Sequence, residues 1–231
     1  MSAAGSFQQL QETVIHCCTC PRLVEWRKHV AIEKVRRFQS EEYWSRPVPA
    51  FGEPAAALLI IGLAPAAHGA NRTGRMFTGD RSGQWLYESL HRFGFANQPT
   101  STRRDDGLHL NGCLVTAALR CAPPANKPFP EELDNCRPYL RRELQLLTRT
   151  RVIVALGQIA FRAFLKAWVE NGGELPGGRL PRFRHAGEWQ LPGRVTLISS
   201  YHPSQQNTQT GRLTRSMFHG VFRRARRILS R

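Results

Sequence analysis

Apolar residues along the chain fall into two kinds of run. From residue 7 to about residue 37 they recur at helical spacing (Leu10 and Val14, then Leu23, Trp26 and Val30), and Cys17-Cys18-Thr19-Cys20-Pro21 interrupts them. This predicts an N-terminal helical segment over about residues 1–45, closed off by Arg46-Pro47-Val48-Pro49. From residue 57 the pattern becomes strand, loop, helix, repeated four times. Residues 57–63 are apolar on both faces, as a central parallel strand must be. Further strands are expected near 110–118, at 152–156 and at 195–200. Helices are expected over 84–93, from Pro130 onward, over 157–169 and over 212–229. The Pro130-Glu131-Glu132 opening suits a helix N-terminus, where the missing Pro N–H costs nothing and acidic groups face the dipole. Residues 171–193, rich in Gly and Pro, carry too little pattern to assign.

Alternating strands and helices imply a single α/β domain over 1–231, with a mainly parallel sheet covered by helices on both faces. Ligands of such sheets bind at the carboxyl ends of the strands. The polar and Gly/Pro-rich motifs fall at those ends: Gly62-Leu63-Ala64-Pro65 after the first strand, Arg120-Cys121-Ala122-Pro123-Pro124 after the second, and Tyr201-His202-Pro203-Ser204 after the fourth. Three motifs on one rim suggest one site.

Composition narrows the partner. The 231 residues carry a formal net charge of +16, and 41% of them are hydrophobic, which is globular composition and too apolar for a disordered polycation. Arg outnumbers Lys 29 to 4, and residues 189–231 hold eight Arg and no Asp or Glu. Guanidinium groups fork onto phosphates, so nucleic acid is the leading partner, with an anionic membrane surface and plain solubility as rivals. No run of 18 apolar residues occurs and the N-terminus lacks the order of a secretory signal, so a cytoplasmic protein with reduced thiols is expected.

Cys17-x-x-Cys20 is a two-ligand clip, and Cys121 and Cys136, with fourteen residues between them, lie in a loop and the helix after it. Four thiolates complete either a tetrahedral zinc site or an iron–sulfur cluster; the absence of a second close pair favours the cluster. Cys18 is a rival to Cys17, Cys113 reads as a core residue, and two unrelated thiols beside a CxxC turn is the reading with no metal.

The motifs 62–69, 71–80 (Asn-Arg-Thr-Gly-Arg-Met-Phe-Thr-Gly-Asp), 120–126 and His202-Pro203-Ser204, in this order and with these cysteines, resemble the uracil-DNA glycosylase superfamily, and most closely its iron–sulfur branch, family 5 or type B. The resemblance runs from Cys17 to the C-terminal helix. It implies a three-layer α/β/α fold on a four-stranded sheet, a structural [4Fe–4S] cluster on Cys17, Cys20, Cys121 and Cys136, and hydrolytic removal of uracil from DNA to leave an abasic site; the sequence carries no oligomer signal, so a monomer is the default expectation.

That chemistry accounts for the residue types. The nucleotide must be flipped out of the duplex into a pocket. Phe77 matches the ring under the flipped base, and His202 matches the donor to the departing pyrimidine anion. Better-known branches of the superfamily carry an acidic or amide side chain where this chain has Ala64, for which Ala66 is no substitute, and family 4 has a base-reading Asn where this chain has Ala117. The water-activating role then passes to Asp80, with Asn126 positioning the water; an N-cap for Asp80 and a turn role for Asn126 are the competing readings. Gly62, Leu63, Pro65, His68, Asn71, Arg72 and Ser204 are expected around the pocket, and Gln206, Asn207, Arg212 and Arg215 on DNA, the two arginines in the last helix. Without the base-reading Asn, hypoxanthine and etheno-cytosine are expected substrates beside uracil. A non-catalytic DNA-binding protein stabilised by a metal–thiolate site is the reading from another class.

Overall fold

The computed structural model describes residues 3–231. Its elements in chain order are α1 (Ala3–Ile15), α2 (Pro21–Glu33), β1 (Phe51–Gly52), β2 (Leu58–Gly62), α3 (Ala70–Thr73), α4 (Arg81–Arg92), β3 (Cys113–Ala117), α5 (Pro130–Leu146), β4 (Val152–Leu156), α6 (Gln158–Glu170), β5 (Glu188–Leu191), β6 (Val195–Ser200), α7 (Gln205–Gln209) and α8 (Arg215–Leu229). The sheet order is β1-β3-β2-β4-β6-β5. The four inner strands are parallel, and their register sets Gly62 beside Ala117, Ile61 beside Ala155 and Leu156 beside Ser200. Their carboxyl ends therefore finish at one level, which brings the three motif loops to one rim.

Every residue of β2, β3 and β4 is buried, and side chains alternate between the two faces. Leu58, Ile60, Val115 and Val154 pack under α4 and α8, through Leu86, Leu90, Phe218 and Phe222. Leu59, Ile61, Leu114 and Ile153 face the other way, onto Phe7 of α1, Leu140 of α5 and Phe161 and Phe164 of α6. Each such side chain contributes about 1.5–3 kcal/mol on burial, so these two clusters carry the fold. The layers are helix, sheet, helix, as expected.

Three expectations need correction. The sheet has six strands, because β1 and β5 add antiparallel edges. β5 lies inside the stretch that had no readable pattern: its four residues are held by Trp189 packing on Phe161, a contact no local periodicity announces. The last helix starts at Arg215, since the Thr214 hydroxyl caps it by accepting from the Met217 N–H at 3.2 Å, so Arg212 lies in the turn before it.

One buried ion pair ties the layers together. Arg120, just beyond β3, stands 2.5 Å from Glu143 of α5, with both side chains almost wholly excluded from water. Glu143 also accepts from Thr116 of β3 at 2.8 Å and from Gln11 of α1 at 3.3 Å, and Gln11 in turn accepts from the Ala50 N–H. Substituting Glu143→Gln leaves the guanidinium buried without a countercharge. The expected loss in folding stability, read by urea unfolding, is about 3–5 kcal/mol.

Candidate active site

A broad cavity opens at the carboxyl rim of the sheet. Its floor and walls include Leu63, Ala64, Ala66, Phe77, Asp80 and His202. Phe77 sits in the left-handed backbone region (φ 54°), unusual for a bulky side chain and a mark of a position fixed by its surroundings. Two glycines fix it. A Cβ on Gly62, at the end of β2, would fall 2.6 Å from the Phe77 ring, and one on Gly83 would strike the Phe77 carbonyl. The ring lies 6.0 Å from the His202 ring, centroid to centroid, at 30°. His202 is held from behind: Asn207 donates to its carbonyl at 2.9 Å, and Ser82 of α4 donates to the Pro203 carbonyl at 3.0 Å. Burial alone drives the imidazole down to about 4, so it is neutral near pH 7 and can offer one N–H.

Asp80 fills the N-cap position weighed for it and also borders the cavity. It caps α4 through Oδ1, which accepts from the Gly83 N–H at 2.8 Å. Its Oδ2 packs where a Cβ on Gly69 would be. Burial pushes its pKa up, opposed by the Gly83 and Ser82 N–H groups and by Arg72. The other carboxylate of the lining, Glu41, is held by Arg72, whose guanidinium also stacks 3.9 Å over Phe38.

The structure sorts the remaining candidates. Leu63, Ala64, Ala66, Arg72, Asn126, Ser204, Gln206 and Arg215 line the cavity. Asn126 is exposed at its edge in a turn with φ 56°. Gly62 acts beneath Phe77, and Ser204 caps α7 by accepting from the Asn207 N–H. Pro65, His68, Asn71, Asn207 and Arg212 lie outside the lining. His68 meets the Tyr43 hydroxyl at 3.0 Å, and Asn71, buried, donates to the Arg27 carbonyl at 3.4 Å. Arg212 stacks on Tyr201 at 4.7 Å. Several lining residues escaped the sequence reading. Arg37 and Phe38 come from the N-terminal segment, where an Arg-Arg-Phe cluster was the available signal. Residues 100–103 come from a loop with no motif; Arg75 braces it by donating to both oxygens of Asp106 at 2.7 Å, while Asp106 accepts from the Thr102 and Arg103 N–H groups.

Behind Ala64 lies a second pocket, lined by Cys17, Cys20, Cys121 and Cys136 together with Arg27, Arg120 and Tyr139. Cys18 is exposed and lies outside it. All six cysteines are free thiols, and burial drives Cys121 up to about 11 and Cys136 to about 12. N–H groups already aim at the sulfurs: Arg27 Nη1 donates to Cys121 Sγ at 3.0 Å, the Arg120 backbone N–H to Cys136 Sγ at 3.3 Å, and Asn135 to Cys20 Sγ at 3.6 Å. Arg27 Nε and Arg120 Nε and Nη1 are buried with no hydrogen-bond partner in the protein. Four sulfur donors and orphaned cationic N–H groups fit an anionic, sulfur-rich occupant. Among the described residues no three His, Cys, Asp or Glu side chains form a single-ion site.

Comparison with known proteins gives the same direction. The sequence model of the Uracil DNA glycosylase superfamily matches residues 49–226. The chain belongs to this superfamily. It is 52% identical over 217 residues to the type-5 uracil-DNA glycosylase of Thermus thermophilus, covering 94% of this chain and 95% of that protein. It is 49% identical over 229 residues to the type-5 enzyme of Mycobacterium leprae, covering 97% and 96%. Identity falls to 31% over 201 residues for a type-4 uracil-DNA glycosylase of Pyrobaculum aerophilum, covering 85% and 82%. No helix among the described residues is long and apolar enough to cross a membrane.

For this superfamily member the two glycine contacts make distinct predictions. Gly62→Ala should displace the Phe77 ring and cost about 1–3 kcal/mol of stability, the usual range for overpacking. Gly69→Ala should displace Asp80 Oδ2 instead. Both are expected to slow single-turnover base release by at least about tenfold in a quench assay, since a 1 Å misplacement can cost more than that.

Proposed function

We propose that this protein is a monofunctional, hydrolytic DNA glycosylase that removes uracil, and also hypoxanthine and etheno-cytosine, from DNA, acting as a monomer. The observation that carries this reading is one cavity holding a near-parallel Phe77 and His202 pair together with an ionisable carboxylate, Asp80. A flipped base stacks on Phe77. As the glycosidic bond breaks, negative charge builds on the base, and the neutral His202 N–H stabilises it; such a donor is typically worth 10²–10³ in rate. Asp80, with one oxygen engaged on the Gly83 N–H and the other directed at Gly69, holds the water on the sugar side and takes its proton. Asn126, at the cavity edge, orients that water. Glu41 is occupied by Arg72 and supplies no second base.

Base selection is loose by construction. Leu63, Ala64 and Ala66 give the pocket an apolar wall that leaves no polar side chain unsatisfied by the wrong base. Gln206, on α7, reaches toward the vacated position in the duplex while Arg215 faces phosphate. Arg215 is shared with Glu88 and stacks on Trp85, so it reads as a placed contact rather than free charge.

A panel of duplexes bearing U:G, hypoxanthine or etheno-cytosine, treated with protein in EDTA and then with alkali, tests the reading. Alkali-dependent cleavage at all three lesions is expected; direct nicking would indicate a nuclease, and intact strands a binding protein. Asp80→Ala and His202→Ala should each slow excision by about 10²-fold or more. Because Asp80 acts ionised and its pKa is raised, the rate should fall as pH drops through a value above 3.8. His202 is already neutral, so no inflection should appear near 6.5.

The cysteine pocket is the proposed seat of a [4Fe–4S] cluster on Cys17, Cys20, Cys121 and Cys136. The fit rests on the sulfur-directed N–H groups and on the orphaned Arg27 and Arg120 nitrogens. When bound, the cluster cross-links the N-terminal segment to the loop after β3 and the start of α5. Purified protein should be brown and carry about four irons and four acid-labile sulfides per chain. Cys121→Ala should abolish the colour, whereas Cys18→Ala should leave it; one zinc per colourless chain would refute the assignment.

A further inference from the structure

The stretch between α6 and β5, which packs Phe183 on the core but has no part in the base chemistry, forms an extended strap along the rim of the site. β5 runs antiparallel to β6, so the chain before Glu188 continues past the carboxyl end of β6. Three bonds pin it there: the Ser199 N–H donates to the Gly187 carbonyl at 2.9 Å, the Ser199 hydroxyl to the Arg184 carbonyl, and the Tyr201 N–H to His185 Nδ1 at 3.3 Å. Inner and outer side chains alternate. Phe183 turns inward onto Phe161 and Tyr201, at 5.6 and 6.1 Å between ring centroids, and His185 stacks on Tyr201 at 5.2 Å. Arg179, Arg182 and Arg184 are exposed. No Asp or Glu occurs from 175 to 187, and among the described residues none forms an ion pair with these three arginines. The contrast with α8 is informative, because there Arg224 is held bidentately by Glu188 and Arg215 by Glu88. Tyr201 immediately precedes His202, and Arg212 stacks on its ring at 4.7 Å. Uncompensated positive charge is thus concentrated on a braced element one residue from the group that meets the base.

We infer that residues 179–184 form a phosphate-gripping strap, with Arg179, Arg182 and Arg184 contacting the DNA backbone beside the flipped nucleotide. The partner's identity rests on the glycosylase reading above; the charge geometry itself asks for a regularly spaced polyanion. The strap is anchored through Tyr201 to the His202 turn, so a phosphate held there fixes the register of the strand against the cavity. It contributes no group to the base pocket and should act on binding rather than on bond cleavage.

The test compares R179Q/R182Q/R184Q with R142Q/R149Q/R194Q, which removes the same charge from exposed arginines toward the amino ends of the strands. Binding to an undamaged duplex is measured by fluorescence anisotropy from 50 to 200 mM salt. The strap variant should lose affinity, and the slope of log affinity against log salt should flatten by about 2–3, at about 0.9 per phosphate contact. Its single-turnover excision rate at saturating enzyme should match the wild type, and R179K/R182K/R184K should restore the slope. An unchanged slope in the strap variant, or an equal loss in the distal variant, would overturn the assignment. If circular dichroism shows the triple variant unfolded, the three single Gln variants, each expected to flatten the slope by about 0.9, decide it. Uracil excision by the wild type separates failure of the strap from failure of the glycosylase reading.

Discussion

The close packing of Phe77 between Gly62 and Gly83 is the constraint on which the site depends. Gly62 is the last residue of β2 and Gly83 lies in the first turn of α4, so one ring is located by the sheet and a helix at once. Removing any side chain at those two positions lets a bulky residue occupy left-handed backbone and present its face to His202. The same loop closes on Asp80, whose cap on α4 fixes the carboxylate and whose second oxygen is admitted only because residue 69 is a glycine. Ring and carboxylate are therefore set by backbone approach, and the His202 turn by the Asn207 and Ser82 side chains that donate to its carbonyls.

Behind that wall, the cysteine pocket shares its framework. Ala64 packs against the cluster formed by Leu23, Leu119 and Cys136, so one residue faces both cavities. Arg27 spans them by another path: its guanidinium reaches Cys121 and the Cys17 carbonyl, while its own carbonyl accepts from Asn71 and Ser45. Asn71 neighbours Arg72, a lining residue. Asn71, read from sequence as a pocket group, is thus a strut between the cysteine pocket and the cavity at the sheet rim. The Arg120–Glu143 pair supplies a second strut, joining the cysteine pocket to α1, β3 and α5.

Much of this was legible in the sequence, for identifiable reasons. Inner strands buried on both faces read as unbroken apolar runs, and parallel strands must end at one rim, so the pattern alone brings the three motif loops together. The family resemblance implied that Cys17, Cys20, Cys121 and Cys136 gather at one place and that Phe77 and His202 share another, and the two pockets have those linings. What was not legible depends on contacts remote in sequence. β5 is four residues held by one tryptophan, the 100–103 wall exists because Arg75 and Asp106 brace it, and Arg212 sits outside α8 because the Thr214 hydroxyl takes the cap. Charge misled in one respect: several arginines of α8 are spent internally, on Glu188, Glu88 and the Phe93 carbonyl, whereas the arginines of the unassigned stretch are free.

The central claim is that a nucleobase leaves the duplex to lie on Phe77 with an edge toward His202 and its sugar toward Asp80. The most direct measurement is a crystal structure of the protein with a duplex containing 2′-fluoro-2′-deoxyuridine opposite G, which resists cleavage. The account predicts an extrahelical uracil stacked on the Phe77 ring, a base oxygen within hydrogen-bond distance of a His202 ring nitrogen, and a water held by Asp80 near the anomeric carbon. A uracil still stacked in the duplex, or extruded to a position that touches neither Phe77 nor His202, would contradict it.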